Sequence, residues 1–193
     1  RHFIDPVSQT LKVDTWSPCL KNPIKLGFSK RQALHRIYQL ERKLQLDPTL
    51  AEQYKKFMNE YQALGHMKPV VAETQTDPKN ICYLPLHAVL KPDSTTTKLR
   101  VVFDGSMRTN TGVSLNDTLH IDPVVQSDIF SIFSRFRMHQ FELTGDIEKM
   151  YRQFLITPSQ RDLLRIFWCS EVDKLVQIYT LNMLSMAYHA LLI

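Results

Sequence analysis

FELTGDIEKMYRQFLI, residues 141–156, is the stretch whose reading decides the rest of the chain. Phe141, Leu143 and Gly145 alternate with Glu142 and Thr144 as in a short strand, and residues 147–153 then take the pattern of a turn or helical start. Asp146 therefore falls where the strand gives out. A carboxylate in that place costs free energy unless it meets a cation, a donor or water. A hard ion such as magnesium is one natural partner, because it takes oxygen ligands. A local explanation is also open: Asp146 can N-cap the turn, with Lys149 standing where a capping box has Glu or Gln.

On the N-terminal side of this stretch, Asp122-Pro123 reads as a helix start, followed by Val125, Ile129, Ile132, Phe133 and Phe136 as an apolar stripe expected to pack beneath a sheet. On its C-terminal side, residues 163–168 and 175–181 alternate around a polar SEVDK turn and predict a hairpin. Residues 183–193 are apolar. Further upstream, residues 83–90 and 98–103 have strand period on either side of KPDSTTT, so a β-hairpin with a polar tip is expected. Lys91, Lys98 and Arg100 lie at or near that tip, where they suit a polyphosphate. Protection of an exposed strand edge would place cations there equally well. Residues 104–116 form a loop rich in Gly, Ser, Thr and Asn.

The first 80 residues differ in kind. Residues 1–28, with Pro6, Trp16, Pro18 and Pro23, show no sustained period and read as a leader or linker. Ser29 is the expected N-cap of a helix to about residue 44, with Ala33, Ile37, Leu40 and Leu44 on its apolar face. Its other faces carry Lys30, Arg31, His35, Arg36, Arg42 and Lys43. Asp47-Pro48 opens a second helix to residue 64, with Leu50, Tyr54, Phe57, Tyr61 and Leu64 inward and Gly65 as its stop. Residues 67–79 read as a connector.

A chain of 193 residues with 44% hydrophobic residues can bury a core. Residues 1–80 hold 13 Lys and Arg against 8 Asp and Glu, while residues 81–193 hold 11 against 11, so the whole net charge of +5 lies in the first part. Lys30, Arg31, Arg36, Arg42 and Lys43 are accordingly the candidate nucleic-acid contacts, with a plain solvated surface as the alternative. There is no run of about eighteen apolar residues and no secretory h-region, so an intracellular, cytoplasmic or nuclear protein with no membrane partner is expected. Cys19, Cys82 and Cys169 are odd in number and far apart, which argues against a zinc knuckle and a disulfide framework. GxGxxG, Walker, HExxH and nucleophile-elbow motifs are absent. Arg1 is not an initiator residue, as expected of a piece of something longer.

Five segments, taken in order, resemble the polymerase region of the Bel/Pao class of long-terminal-repeat retrotransposons: LERKLQLDPTLAEQYKKFMNEYQALGHM, LPLHAVLKPDSTTTKLRVVFDGS, TNTGVSLNDTL, FRMHQFELTGDIEKMYRQFLI and RDLLRIFW. The resemblance covers about residues 29–182 and implies an α+β fold: an N-terminal helical hairpin, a fingers β-hairpin and the truncated palm of a right-hand polymerase. Residues 1–28 would be leader or linker, 29–80 a basic helical segment, and 81–193 a partial reverse transcriptase fingers and palm domain. The implied activity is RNA-directed DNA polymerisation by two-metal phosphoryl transfer, with magnesium as cofactor. The implied partners are an RNA or DNA template-primer, deoxynucleoside triphosphates and other parts of a polyprotein.

Carried over by motif, Asp146 would be the first palm carboxylate and a magnesium ligand. Ile147 would offer its backbone beside the metal and triphosphate. Tyr151 would lie under the sugar and exclude a 2′-hydroxyl, and Lys91, Lys98 and Arg100 would close on the triphosphate. Leu115-Asn116 matches a pair whose role is positional. Two departures weigh against activity. MLSMAYHALLI stands where relatives have a Gly-containing, Ala-Pro-ended segment, and no later strand-turn-strand supplies an Asp-Asp pair. Asp104 and Glu148 are the nearest stand-ins in sequence. The chain by itself is therefore expected not to polymerise. A non-catalytic nucleic-acid-binding remnant, or a degenerate product with an exposed sheet edge, are the alternatives.

Overall fold

Two helices joined by one residue frame the computed structural model, which describes residues 15–16, 26–70, 77–90, 99–119, 127–141, 143, 150–169 and 175–184. The first, α1, is Lys30–Leu46 and the second, α2, is Pro48–Ala63. Ala33, Ile37 and Leu40 return to one side of α1 every three or four residues and are buried there. Asp47 caps α2, its carboxylate accepting the Leu50 N–H at 2.9 Å, with Pro48 at the first helical position. Leu50, Tyr54, Met58 and Tyr61 form the buried face of α2. Leu64, expected inward, is 54% exposed because the helix has already ended at Ala63. Gly65, at φ 72°, lets the Gly65 and His66 N–H groups donate back to the Gln62 and Tyr61 carbonyls, a Schellman closure that a side chain at this φ would strain.

In chain order the strands are β1 (Thr15–Trp16), β2 (Met67–Pro69), β3 (Tyr83–Leu84), β4 (Leu86–Leu90), β5 (Leu99–Phe103), β6 (Leu155–Ile156), β7 (Arg165–Trp168) and β8 (Gln177–Leu181). They gather into a four-stranded sheet in the order β2-β8-β7-β3, a β4-β5 hairpin and a β1-β6 pair. The chain is α+β. The helical hairpin lies over the strands, α1 against β3, β4 and β7 and α2 against β2 and β5. Tyr54 stacks on Trp168 at 5.3 Å and Tyr61 meets Phe103 at 5.4 Å between ring centres. Each fully buried side chain of this kind contributes about 1.5–3 kcal/mol.

The two predicted hairpins are present. Leu86 pairs with Phe103 and Leu90 with Leu99, and β7 pairs antiparallel with β8 from Arg165↔Thr180 to Trp168↔Gln177. Residues 163 and 164 belong instead to the 3-10 segment Pro158–Leu164 that precedes β7. The run 83–90 is split at Pro85, which has no N–H to give to a ladder. Before it, Tyr83 and Leu84 pair parallel with Arg165 and Ile166; after it, the chain enters the hairpin. All four residues of β7 are buried, as in a strand covered on both faces. The charge of Arg165 is met there by Asp162 at 2.8 Å and by the Tyr83 hydroxyl at 3.5 Å.

Several expectations are corrected. Residues 67–79 are not merely a connector, since Met67, Lys68 and Pro69 pair with Leu181, Thr180 and Tyr179 at the sheet edge. Ser29 is the N-cap residue of α1 as expected, its carbonyl accepting the Ala33 N–H at 3.0 Å, but its side chain makes no cap bond: the buried hydroxyl accepts the Tyr83 N–H at 2.7 Å and donates to the Cys82 thiol at 3.6 Å. Burial pushes that thiol up to about 11. In the leader, Thr15 and Trp16 pair with Leu155 and Ile156. Gly27 and Phe28 donate their N–H groups to Thr109 Oγ1 and Asn110 Oδ1, an approach so close that a Cβ on Gly27 would collide with Asn110. The helix expected after Asp122-Pro123 is α4, Ile129–Phe136, capped by Asp128, whose carboxylate accepts the Ser131 N–H at 2.9 Å. Asp122, Pro123 and Val125 lie outside the described residues. The stripe of α4 does not pack beneath a sheet: Ile129 is 70% exposed and Phe133 61%. Phe141 and Leu143, expected in a strand, are in none and are 83% and 95% exposed, while Glu142, Thr144 and Gly145 lie outside the described residues. A one-turn helix, α3 (Leu115–Thr118), precedes α4, closed by a reciprocal Ser114–Asp117 capping box. Among the described residues, no helix is long and apolar enough to cross a membrane.

Candidate functional site

The expected nucleotide site is described only at its margins. Asp146, Ile147, Lys91 and Lys98 lie outside the described residues, as does Glu148. Tyr151 lies on the 3-10 turn Met150–Gln153. Arg100 is exposed on β5 opposite Val89. Its neighbours Leu99, Val101 and Phe103 are buried, so strand alternation turns Arg100 to the solvent face of the hairpin. That face suits an anionic ligand, and it equally suits a charged residue guarding an edge.

Among the described residues, no three His, Cys, Asp or Glu side chains gather to hold a metal ion. Asp104 accepts the Ser106 N–H at 2.9 Å and the Ser106 hydroxyl at 2.5 Å, so its carboxylate closes a turn. Leu115 is buried and the Asn116 N–H donates to the Gly105 carbonyl at 3.0 Å. Asp117 is held below the usual carboxylate range by the Ser114 N–H and hydroxyl, and thus serves its helix.

One contact of this region was not visible in the sequence. Arg152, one residue past Tyr151, places its guanidinium 5.0 Å from the Phe57 ring centre and 5.2 Å from that of Tyr61. This cation–π clamp ties the 3-10 turn to α2. Burial pushes the Tyr61 hydroxyl well above its usual range, with the Arg152 charge acting in the opposite direction. No local signal could have found the pairing, because the partners are some ninety residues apart.

The basic helix is described in full. Arg31, Arg36, Arg42 and Lys43 are exposed, as expected. At 3.6 residues per turn they fall into two rows. Arg31, His35, Tyr38 and Arg42 follow one another at intervals of four, three and four along the side facing away from Ala33, Ile37 and Leu40. Arg36 and Lys43 share the adjacent row with Gln39. Gln39 joins the rows, accepting from Arg36 at 3.5 Å and meeting the His35 ring at 2.9 Å. Lys30 is exposed yet stands apart, its Nζ 5.9 Å from the Tyr83 ring centre. His35, Tyr38, Gln39, Glu41, Arg42 and Gln45 line a shallow open hollow of about 360 Å³.

No protein-family model matches the chain, and comparison with curated proteins finds no match.

Proposed function

We propose that the chain is the fingers and first part of the palm of a Bel/Pao-type reverse transcriptase, a nucleotidyltransferase lineage working on template-primer and deoxynucleoside triphosphates. The carrying observation is the ordered run of five resembling segments, whose cation-bearing hairpin has the pairing that the sequence calls for, with Arg100 on its open face. In this reading Asp146 is the magnesium-binding carboxylate, Ile147 and Tyr151 flank it, and Lys91, Lys98 and Arg100 supply positive charge to the triphosphate. The α+β arrangement and the helical hairpin over the strands are compatible with it.

The test is equilibrium binding of a fluorescent deoxynucleoside triphosphate to the whole chain, with and without magnesium. Magnesium-dependent binding is expected, weakened about tenfold by Arg100→Gln through loss of a charge-assisted contact. Asp146→Asn is expected to remove the dependence on magnesium. Binding that ignores both substitutions would overturn the assignment. A second reading, nucleic-acid binding without chemistry, is favoured by the exposed cations of α1 and predicts oligonucleotide binding in the absence of any triphosphate site.

A further inference from the structure

We infer that the outer row of α1, Arg31–His35–Tyr38–Arg42, is a docking strip for single-stranded nucleic acid, with Tyr38 as a base-stacking platform between two phosphate-binding arginines. The inference rests on the proposed nucleic-acid function for its choice of polyanion, and it goes beyond that reading in naming strandedness and the stacking residue.

Charge selects the class of partner. α1 carries Lys30, Arg31, Arg36, Arg42 and Lys43 against the single acid Glu41, and four of those cations face solvent away from the core. Burial shifts the Glu41 carboxyl upward from its usual value, and this one opposing charge of the helix lines the same hollow as Tyr38 and Arg42. A surface with that balance complements a polyphosphate.

Placement selects the single strand. Tyr38 is 51% exposed in the middle of the row and lines the hollow with His35 and Arg42. Bases inside a duplex keep their faces stacked on one another, whereas an unpaired base offers a face to an aromatic side chain. From Arg31 to Arg42 the row is about 16 Å long at 1.5 Å per residue. That is the reach of a few nucleotides. The Arg36–Gln39–His35 contacts link the row to the cations on its flank.

The experiment is fluorescence anisotropy of the whole chain with a short labelled oligonucleotide, free or annealed to its complement, in buffer containing neither triphosphate nor magnesium. It therefore succeeds or fails independently of the nucleotide-site test. Tighter binding of the single strand is expected, with Tyr38→Ala weakening it roughly tenfold or more and Tyr38→Phe preserving it. Arg31→Gln combined with Arg42→Gln should reduce the slope of log affinity against log salt by about 1.4, at about 0.7 per phosphate contact on a single strand. All are exposed positions, and circular dichroism of each variant checks that the helices persist. Equal affinity for duplex and single strand, insensitivity to Tyr38→Ala, or binding to anionic vesicles in place of oligonucleotide would each overturn the inference.

Discussion

The helices α1 and α4 have the same kind of sequence and opposite surroundings. Both carry apolar residues at helical spacing on one face and polar or basic residues on the other. α1 buries Ala33, Ile37 and Leu40 against α2 and the strands, while no side chain of α4 is buried among the described residues. Helical period fixes which side of a helix would pack. It does not supply the surface to pack on. For α1 that surface comes from α2, its neighbour in the chain, and from β3, β4 and β7, which are brought together by pairings distant in sequence.

The largest effect should come from the packed member of the pair. Ile37, 2% exposed, is expected to cost about 2–5 kcal/mol when changed to alanine, because the cavity is walled by helix and sheet together. Chemical denaturation of the two proteins side by side measures this. A loss much below 1 kcal/mol would mean that the contact of α1 with the strands is loose.

An intermediate effect is expected from alkali, acting where α1 meets the sheet beside Ser29. The Cys82 thiol rises from 9.0 to about 11 on folding, because burial disfavours the thiolate. A raised folded value means that the stabilisation is complete below pH 9 and is lost as pH climbs towards 11. At about 1.4 kcal/mol per unit, two units amount to roughly 3 kcal/mol. Melting temperature followed across that window should fall, and Cys82→Ala should flatten the part of the fall due to the thiol. An unchanged slope in the variant would assign the alkaline loss elsewhere, for instance to the buried hydroxyls of Tyr54 and Tyr61, which burial also raises.

The smallest effect belongs to α4. Phe133→Ala is expected to change stability by no more than about 0.5 kcal/mol, as at other solvent-facing positions. A loss comparable to that of Ile37→Ala would erase the contrast between the helices and show that the α4 stripe is covered in solution.

The candidate site divides along the same line. The row on α1 follows from local spacing once the buried face is known, so the exposure of Arg31, Arg36, Arg42 and Lys43 was legible in the sequence. The place of Lys30 beside Tyr83 was not, since it depends on β3 running under the start of α1. Arg100 was legible as a hairpin cation from strand alternation. The Arg152 clamp on Phe57 and Tyr61 was not, because those partners meet only in the folded chain.

By itself, then, the sequence determined the elements whose signals are local: α1 and α2 with the Asp47-Pro48 start and the Gly65 stop, the β4-β5 and β7-β8 hairpins, and the side of each helix that is apolar. These rest on caps, turns and periods that act over a few residues. Only the tertiary structure decided that Met67–Pro69 is an edge strand, that Pro85 divides one run between two sheets, that the Ser29 hydroxyl serves Tyr83 and Cys82 instead of capping its own helix, and that α4 has no buried side chain among the described residues. The physical reason is common to all four: a strand needs a partner, a buried hydroxyl needs a donor or acceptor, and an apolar face needs a second surface. In each case the partner, or the want of one, is set by residues far away in the chain.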